Sequence, residues 1–296
     1  MAFNQRKFQR FANVILTVLC MMSVMPFILL VSSSITQEAV INQSGYSFFP
    51  RQIDFAAYQY LFMAGKSILR AYGMTLAVTA AGTTGNIFLT MSLGYLLSKK
   101  DLVGRNVISF FVFFTMLFSG GMVPSYIIWS QVFKVSNTVW GLICPNLMLS
   151  AFNVILMRTY FSTNIPSEIK EAAEMDAASQ VDILFRIAVP LSKPMIATVG
   201  LFSALGYWND WINGLYYLTR KKELYTIQNV LNSMASSVQF LKDNVNASIG
   251  LQFSKGIPTL GVRMAIAVIA VIPVLVIYPF FQKFFIRGIV IGGVKG

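Results

Sequence analysis

Asp210 is the only charged residue in the stretch 194–219, with Trp208 and Asn209 before it and Trp211 after it. A carboxylate in such apolar surroundings is costly and usually faces a cavity or a partner. Indole faces stack on the C–H patches of sugar rings, and amide or carboxylate groups bond sugar hydroxyls. The cluster therefore has the side chains of a sugar contact. It fits equally a structural acceptor that bonds backbone or a neighbouring helix, with the tryptophans as interfacial anchors. Nothing else in the chain points to catalysis. There is no histidine, and Cys20 and Cys144 both lie in apolar runs, so neither a metal site nor a disulfide framework is expected. Gly65-Lys66-Ser67 has the ending of a phosphate-binding loop, but position 60, where the first glycine belongs, is Tyr60. No catalytic residue, metal ligand or cofactor site is expected in this chain.

A second cluster lies in the polar segment 158–193. Pro166 suits a first helical turn, where its missing N–H costs nothing. Glu168 and Glu171 complement the positive end of that helix. Ala172, Ala173, Ala177, Ala178 and Ser179 make a ridge that another backbone can approach closely. Ile183, Leu184, Ile187 and Ala188 then recur at helical spacing, and Pro190 is expected to stop the second helix. A helix–bend–helix with a small-residue ridge suits docking into a groove on another protein.

The elements that must carry these clusters follow from composition. Of 296 residues, 56% are hydrophobic and 11% charged, less than half the charge of an ordinary soluble domain. Disorder, a coiled coil and a cytosolic enzyme are excluded, and a polytopic membrane protein remains. Charge-free stretches at 11–37, 71–98, 106–133, 135–157 and 264–282, with 194–219 broken only by Asp210, predict six transmembrane helices. The net charge of +12 does not indicate nucleic acid, because the cations sit between apolar runs. Their bias predicts cytoplasmic N- and C-termini. Arg220, Lys221 and Lys222, placed outside by that topology, run against the bias.

Glu171-Ala172-Ala173, Asp176-Ala177-Ala178, Phe185, Ile187, Pro190 and Pro194 resemble the EAA loop of ABC importer permeases, the coupling helix that sits in a cleft of the ATPase subunit. Ala173 is expected in that cleft, and Glu171 is expected to matter there more than Glu174. Ala177 replaces the family glycine, so a bend with positive φ at that residue is not expected. Trp208-Asn209-Asp210-Trp211, Leu224-Tyr225-Thr226-Ile227-Gln228 and the run Gly288–Gly296 resemble the carbohydrate branch, which includes MalG-like subunits. Phe118–Pro124 is similar to the LplC/YtcP-like group of that branch. The resemblance implies an all-α integral membrane protein of the type I, MetI-like fold. It also implies one permease domain over 1–296, with the coupling loop at 158–194. The implied partners are a sister permease, two ATPases that bind ATP and magnesium, a lipid-anchored solute-binding protein, and an oligosaccharide cargo. The implied place is the plasma membrane of a Gram-positive bacterium. ATPase docking is indifferent to cargo, so a peptide permease stays open. An ion-driven secondary transporter would bring inverted repeats and several intramembrane charges.

Overall fold

The structure, a computed structural model, describes residues 2–63, 65–244, 260–273, 275 and 279. Among them every regular element is helical, and extended pairing is limited to one bridge between Thr36 and Ile53. The chain forms two compact units, one from Met1–Ile68 and Leu231–Val274 and the other centred on Leu69–Val230.

The first unit contains helix α1, Ala2–Ser34. Its Lys7–Ser34 portion is long and apolar enough to cross a membrane and has no buried residue in its most apolar window. A helix window apolar on all sides and exposed suits a lipid environment, while the C-terminal end of α1 packs through Ser32, Ser33 and Ser34. The core of this unit is Ala57, Leu61, Val262, Ala265 and Ile266.

The second unit carries both candidate sites. Helix α2, Gly65–Ser98, buries Thr75, Val78, Gly82, Asn86, Thr90 and Gly94, a face repeating every three or four residues. Glycine permits close approach on that face. A Cβ on Gly94 would stand 3.0 Å from Met157 Cβ, so α2 packs tightly on α5, Ala151–Thr163. Helix α3, Arg105–Leu117, and α4, Met122–Val132, are bent by 116°. The bend falls at Ser119-Gly120-Gly121, where Gly121 has φ +83°.

Six continuous spans are not seen among the described residues. Two helices among the described residues cross by length and composition, Lys7–Ser34 and Gly65–Ser98, and the count reaches four if each bent pair is one span. The stretch 135–157 is not one helix. A short turn at Trp140–Ile143 ends at Pro145 and Asn146, the latter at φ +62°, and α5 restarts after Ser150. The last stretch begins as the helix Leu260–Pro273. Most of its remainder, and the run Gly288–Gly296, lie outside the described residues.

Candidate functional site

The coupling loop is built from α6, Ser167–Met175, and α7, Gln180–Leu191, followed by α8, Lys193–Asn209. Pro166 caps α6 with extended backbone (φ −54°, ψ 139°). The helix ends in a Schellman turn: Ala178 N–H donates to Ala173 O at 3.0 Å and Ala177 N–H to Glu174 O at 3.0 Å. Ala177 takes φ +55°, so the left-handed residue not expected at this alanine is present. The two turn bonds and the packing of Ala178 on the core offset a left-handed cost of about 1–2 kcal/mol.

The alanine ridge is also corrected, because it is divided between two faces. Ala173 is buried, and Ala178 packs beside it on the core of Met91, Tyr95, Met157, Phe161, Ile183, Leu184, Ala188 and Val199. Ala172 and Ala177 are exposed with Glu168, Glu171 and Asp176. Ala173 thus faces its own protein, where a larger side chain would overfill the core. Met175, which the sequence reading passed over, is 88% exposed between Glu171 and Ala177. The outward face of α6 is therefore Glu168, Glu171, Ala172, Met175, Asp176 and Ala177.

Glu174 points elsewhere. It accepts from Gln180 Nε2 at 2.9 Å and meets Lys99 Nζ at 3.6 Å, while Tyr95 Oη donates to Gln180 Oε1 at 3.1 Å. Lys170 Nζ donates to Phe161 O at 3.2 Å, and burial, with Lys99 nearby, lowers its pKa. These contacts bolt the loop to the end of α2. Ser179 starts α7 as a cap: its Oγ accepts from Asp182 N–H at 3.2 Å and donates to Asp182 Oδ2 at 2.6 Å. That hydroxyl, then Arg186 at 3.2 Å, holds the Asp182 carboxyl below its usual range.

Pro190 does not stop α7 by itself. The helix widens to π geometry over Ile183–Ala188, which gives the proline ring room, and runs on to Leu191. Ser192 then makes the 86° turn into α8, with Pro194 in its first turn.

At the far end of α8, Asp210 marks a break before α9, Ile212–Tyr217. Its Oδ1 accepts from Ile212 N–H at 3.1 Å and Asn213 N–H at 3.2 Å, the bonds of a helix cap. Trp208 is 5% exposed and its buried Nε1 has no partner among the described residues. Asn209 bonds its own helix through Leu205 O, and Trp211 is 41% exposed. The four residues are neighbours in sequence but face different surroundings.

A different polar group gathers between α2, α5 and α8. Ser203 Oγ donates to Asn86 Oδ1 at 2.6 Å, and Asn153 Nδ2 donates to Ser203 Oγ at 3.4 Å. Asn86 Nδ2 donates to Leu147 O at 2.8 Å and Met148 O at 3.3 Å. Asn86, Asn153 and Ser203 each lie about ten to twelve residues from the coupling-loop end of their helices. At 1.5 Å per residue that is about 15–18 Å, half of a hydrocarbon core about 30 Å thick. Beside the network lies a cavity of about 320 Å³, at the lower end of ligand pockets, about 300–1,000 Å³. Its lining is Asn86, Asn146, Leu147, Ser150, Phe152, Asn153, Phe202, Ser203 and Gly206, with no charged residue. Phe152 and Phe202 have ring centroids 6.5 Å apart. The sequence reading missed this group. The available signal was asparagine at 86 and 153 inside charge-free stretches.

The second unit thus carries a polar loop at one end and an uncharged polar cavity among helices, one of which is long and apolar enough to cross a membrane. The family model for binding-protein-dependent transport system inner membrane components matches residues 87–291. The chain belongs to this family. It is similar to the protein LplC of Bacillus subtilis (strain 168), 36% identical over 275 residues covering 93% of this chain and 90% of LplC. It is 34% identical to YtcP of the same organism, a polygalacturonan/rhamnogalacturonan transport system permease protein, over 95% of this chain and 96% of YtcP. Among solved structures it matches a chain of a bacterial ABC transporter involved in the import of the acidic polysaccharide alginate. That match has TM-score 0.79 and 30% identity, covering 95% of this chain and 97% of that one. The MetI-like permease fold follows.

Proposed function

We propose that this permease passes an oligosaccharide, delivered by an extracellular solute-binding protein, through a pathway that includes the cavity at Asn86, Asn153 and Ser203. The single observation that carries the reading is that cavity. It offers amides, hydroxyls and two aromatic rings at mid-depth in a member of an importer family. Sugars present hydroxyls to amides and C–H faces to rings, and an uncharged lining suits them. Relatives named as permeases for polygalacturonan/rhamnogalacturonan and for arabinooligosaccharides support the cargo class.

The chain works as one permease domain, 1–296, with six crossings in the plasma membrane of a Gram-positive bacterium and both termini in the cytoplasm. It pairs with a sister permease. Two ATPase subunits bind ATP and magnesium and grip the loop 158–194 through Glu171, Ala172, Met175, Asp176 and Ala177. Ala173, Ala178 and Pro190 hold that surface in place. Closure of the ATPases moves α6, and the bolt through Glu174 and Gln180 carries the movement to α2. Asp210 caps the outer hinge of α8, with Trp208, Asn209 and Trp211 around it. The chain performs no chemistry on its cargo.

Purification in mild detergent followed by ATP hydrolysis tests the reading. Co-purification with a second permease and an ATPase, and hydrolysis stimulated by receptor and oligosaccharide, is expected. A chain that purifies alone and moves a solute in response to an ion gradient contradicts it.

A further inference from the structure

Four cations stand at the end of the second unit remote from the coupling loop. From Lys193 the helix α8 runs about 25 Å to Asn209, α9 follows, and the chain then reads Thr219-Arg220-Lys221-Lys222. Lys134 lies three residues before Asn137, whose side chain bonds this segment. All four are exposed, and their side chains make no ion pair or hydrogen bond among the described residues. Only Glu223 adjoins them in sequence. Cations in membrane proteins gather on the cytoplasmic flank, and this row lies at the other end from the loop that faces the ATPases.

The backbone beneath the row is fixed. Asn137, at φ +58°, donates its N–H to Tyr217 O at 2.7 Å. Its Oδ1 accepts from Arg220 N–H at 2.8 Å and Lys221 N–H at 3.2 Å, and its Nδ2 donates to Thr219 Oγ1 at 3.3 Å. Gly141 makes the approach possible, since a Cβ there would stand 2.8 Å from Val135 O and 3.0 Å from Tyr217 Cβ. Lys134 itself takes φ +52°, a conformation costing about 1–2 kcal/mol. Two turns more than 80 residues apart in sequence are thus locked together.

We propose that this row, resting on the importer reading above, is the docking ridge for an acidic patch on the solute-binding protein. Lipid headgroups need no fixed backbone, because lysine and arginine reach them on flexible stems. A folded partner with carboxylates in a set pattern does need one, and complementary charge steers its encounter.

The test uses the assembled importer in vesicles of neutral phosphatidylcholine and, as probe, the solute-binding protein that co-purifies with it, stripped of sugar. Lys221→Glu with Lys222→Glu is expected to weaken receptor binding more than about tenfold and to flatten its salt dependence, with the maximal ATPase rate at saturating receptor retained. Asn137→Ala keeps every charge but frees the backbone, and is expected to weaken binding several-fold. Soluble polyglutamate is expected to compete, and neutral dextran is not. Unchanged affinity and salt dependence in the doubly reversed variant overturns the proposal. So does an effect confined to vesicles with anionic lipid, which assigns the row to headgroups, or to sugar-loaded receptor, which assigns it to the glycan. A wild-type importer that neither binds the receptor nor hydrolyses ATP with it overturns the importer reading itself.

Discussion

The coupling loop and the mid-depth cavity handle polar groups in opposite ways. On and just after α6 the carboxylates of Glu168, Glu171 and Asp176 are exposed, and Glu174, exposed as well, is tied to Gln180 and Lys99 of its own chain. In the cavity Asn86, Asn153 and Ser203 bond one another and stay buried, with no charge among the lining residues. One region offers unspent charge on a rigid mount, which a partner protein can grip. The other holds neutral donors and acceptors already paired within the protein, which sugar hydroxyls can borrow without the protein leaving a charge of its own stranded in lipid. A permease needs both, and the tight α2–α5 packing at Gly94 and Met157 lies between them.

The sharpest break of this contrast is Asn86→Leu. It removes the partner of Ser203 Oγ and of the Leu147 and Met148 carbonyls, leaving buried polar groups worth about 1–3 kcal/mol each. Melting temperature and complex yield are expected to fall steeply. Stability equal to wild type would mean the network does not hold the helices. Next in size is Glu174→Lys, which sets a third cation beside Lys99 and Lys170 and loses the Gln180 bond. About 1–2 kcal/mol of stability should be lost, read by thermal melting of the purified complex. Glu171→Lys sharpens the comparison, because its side chain faces outward. Melting should be unchanged, while affinity for the ATPase, measured by co-purification, drops. Equal melting losses at 171 and 174 would erase the distinction between the two faces of α6. The smallest effect is a gain. Ala177→Gly relieves the left-handed alanine and should stabilise the loop by about 1 kcal/mol, read as a small rise in melting temperature. A loss there would mean the Schellman turn is not strained at φ +55°.

The loop was legible in the sequence because its parts are contiguous. Pro166, the acidic first turn, the alanines and Ile183–Ala188 fall within one short segment, and helical spacing alone relates them. What spacing did not give was which alanines face inward. Ala173 is buried and Ala178 half-buried against α2 and α5, elements distant in sequence. The left-handed Ala177 escaped for a related reason, since local preference argued against it and tertiary packing decided. The cavity was not legible at all, because Asn86 and Ser203 stand 117 residues apart and meet only after α2 and α8 pack. The Trp208–Trp211 cluster shows the reverse: of its two readings, the structural acceptor is the one whose backbone bonds are seen at Asp210. Adjacency suggested one site, yet the break at Asp210 turns its members to different surroundings.

The central claim, that cargo passes the cavity beside Asn86 and Ser203, is tested most directly at Gly206. A Cβ there meets only Leu147 Cδ2, at 3.5 Å, so Gly206→Ala should fold and transport normally, while Gly206→Leu projects into the cavity. The measurement is ATP-driven uptake of oligosaccharide per assembled importer in reconstituted vesicles, with melting temperature recorded alongside. Gly206→Leu should lower uptake by about tenfold, equivalent to about 1.4 kcal/mol of lost cargo interaction, at near-wild-type stability. Full uptake by a stably assembled Gly206→Leu importer would contradict the account.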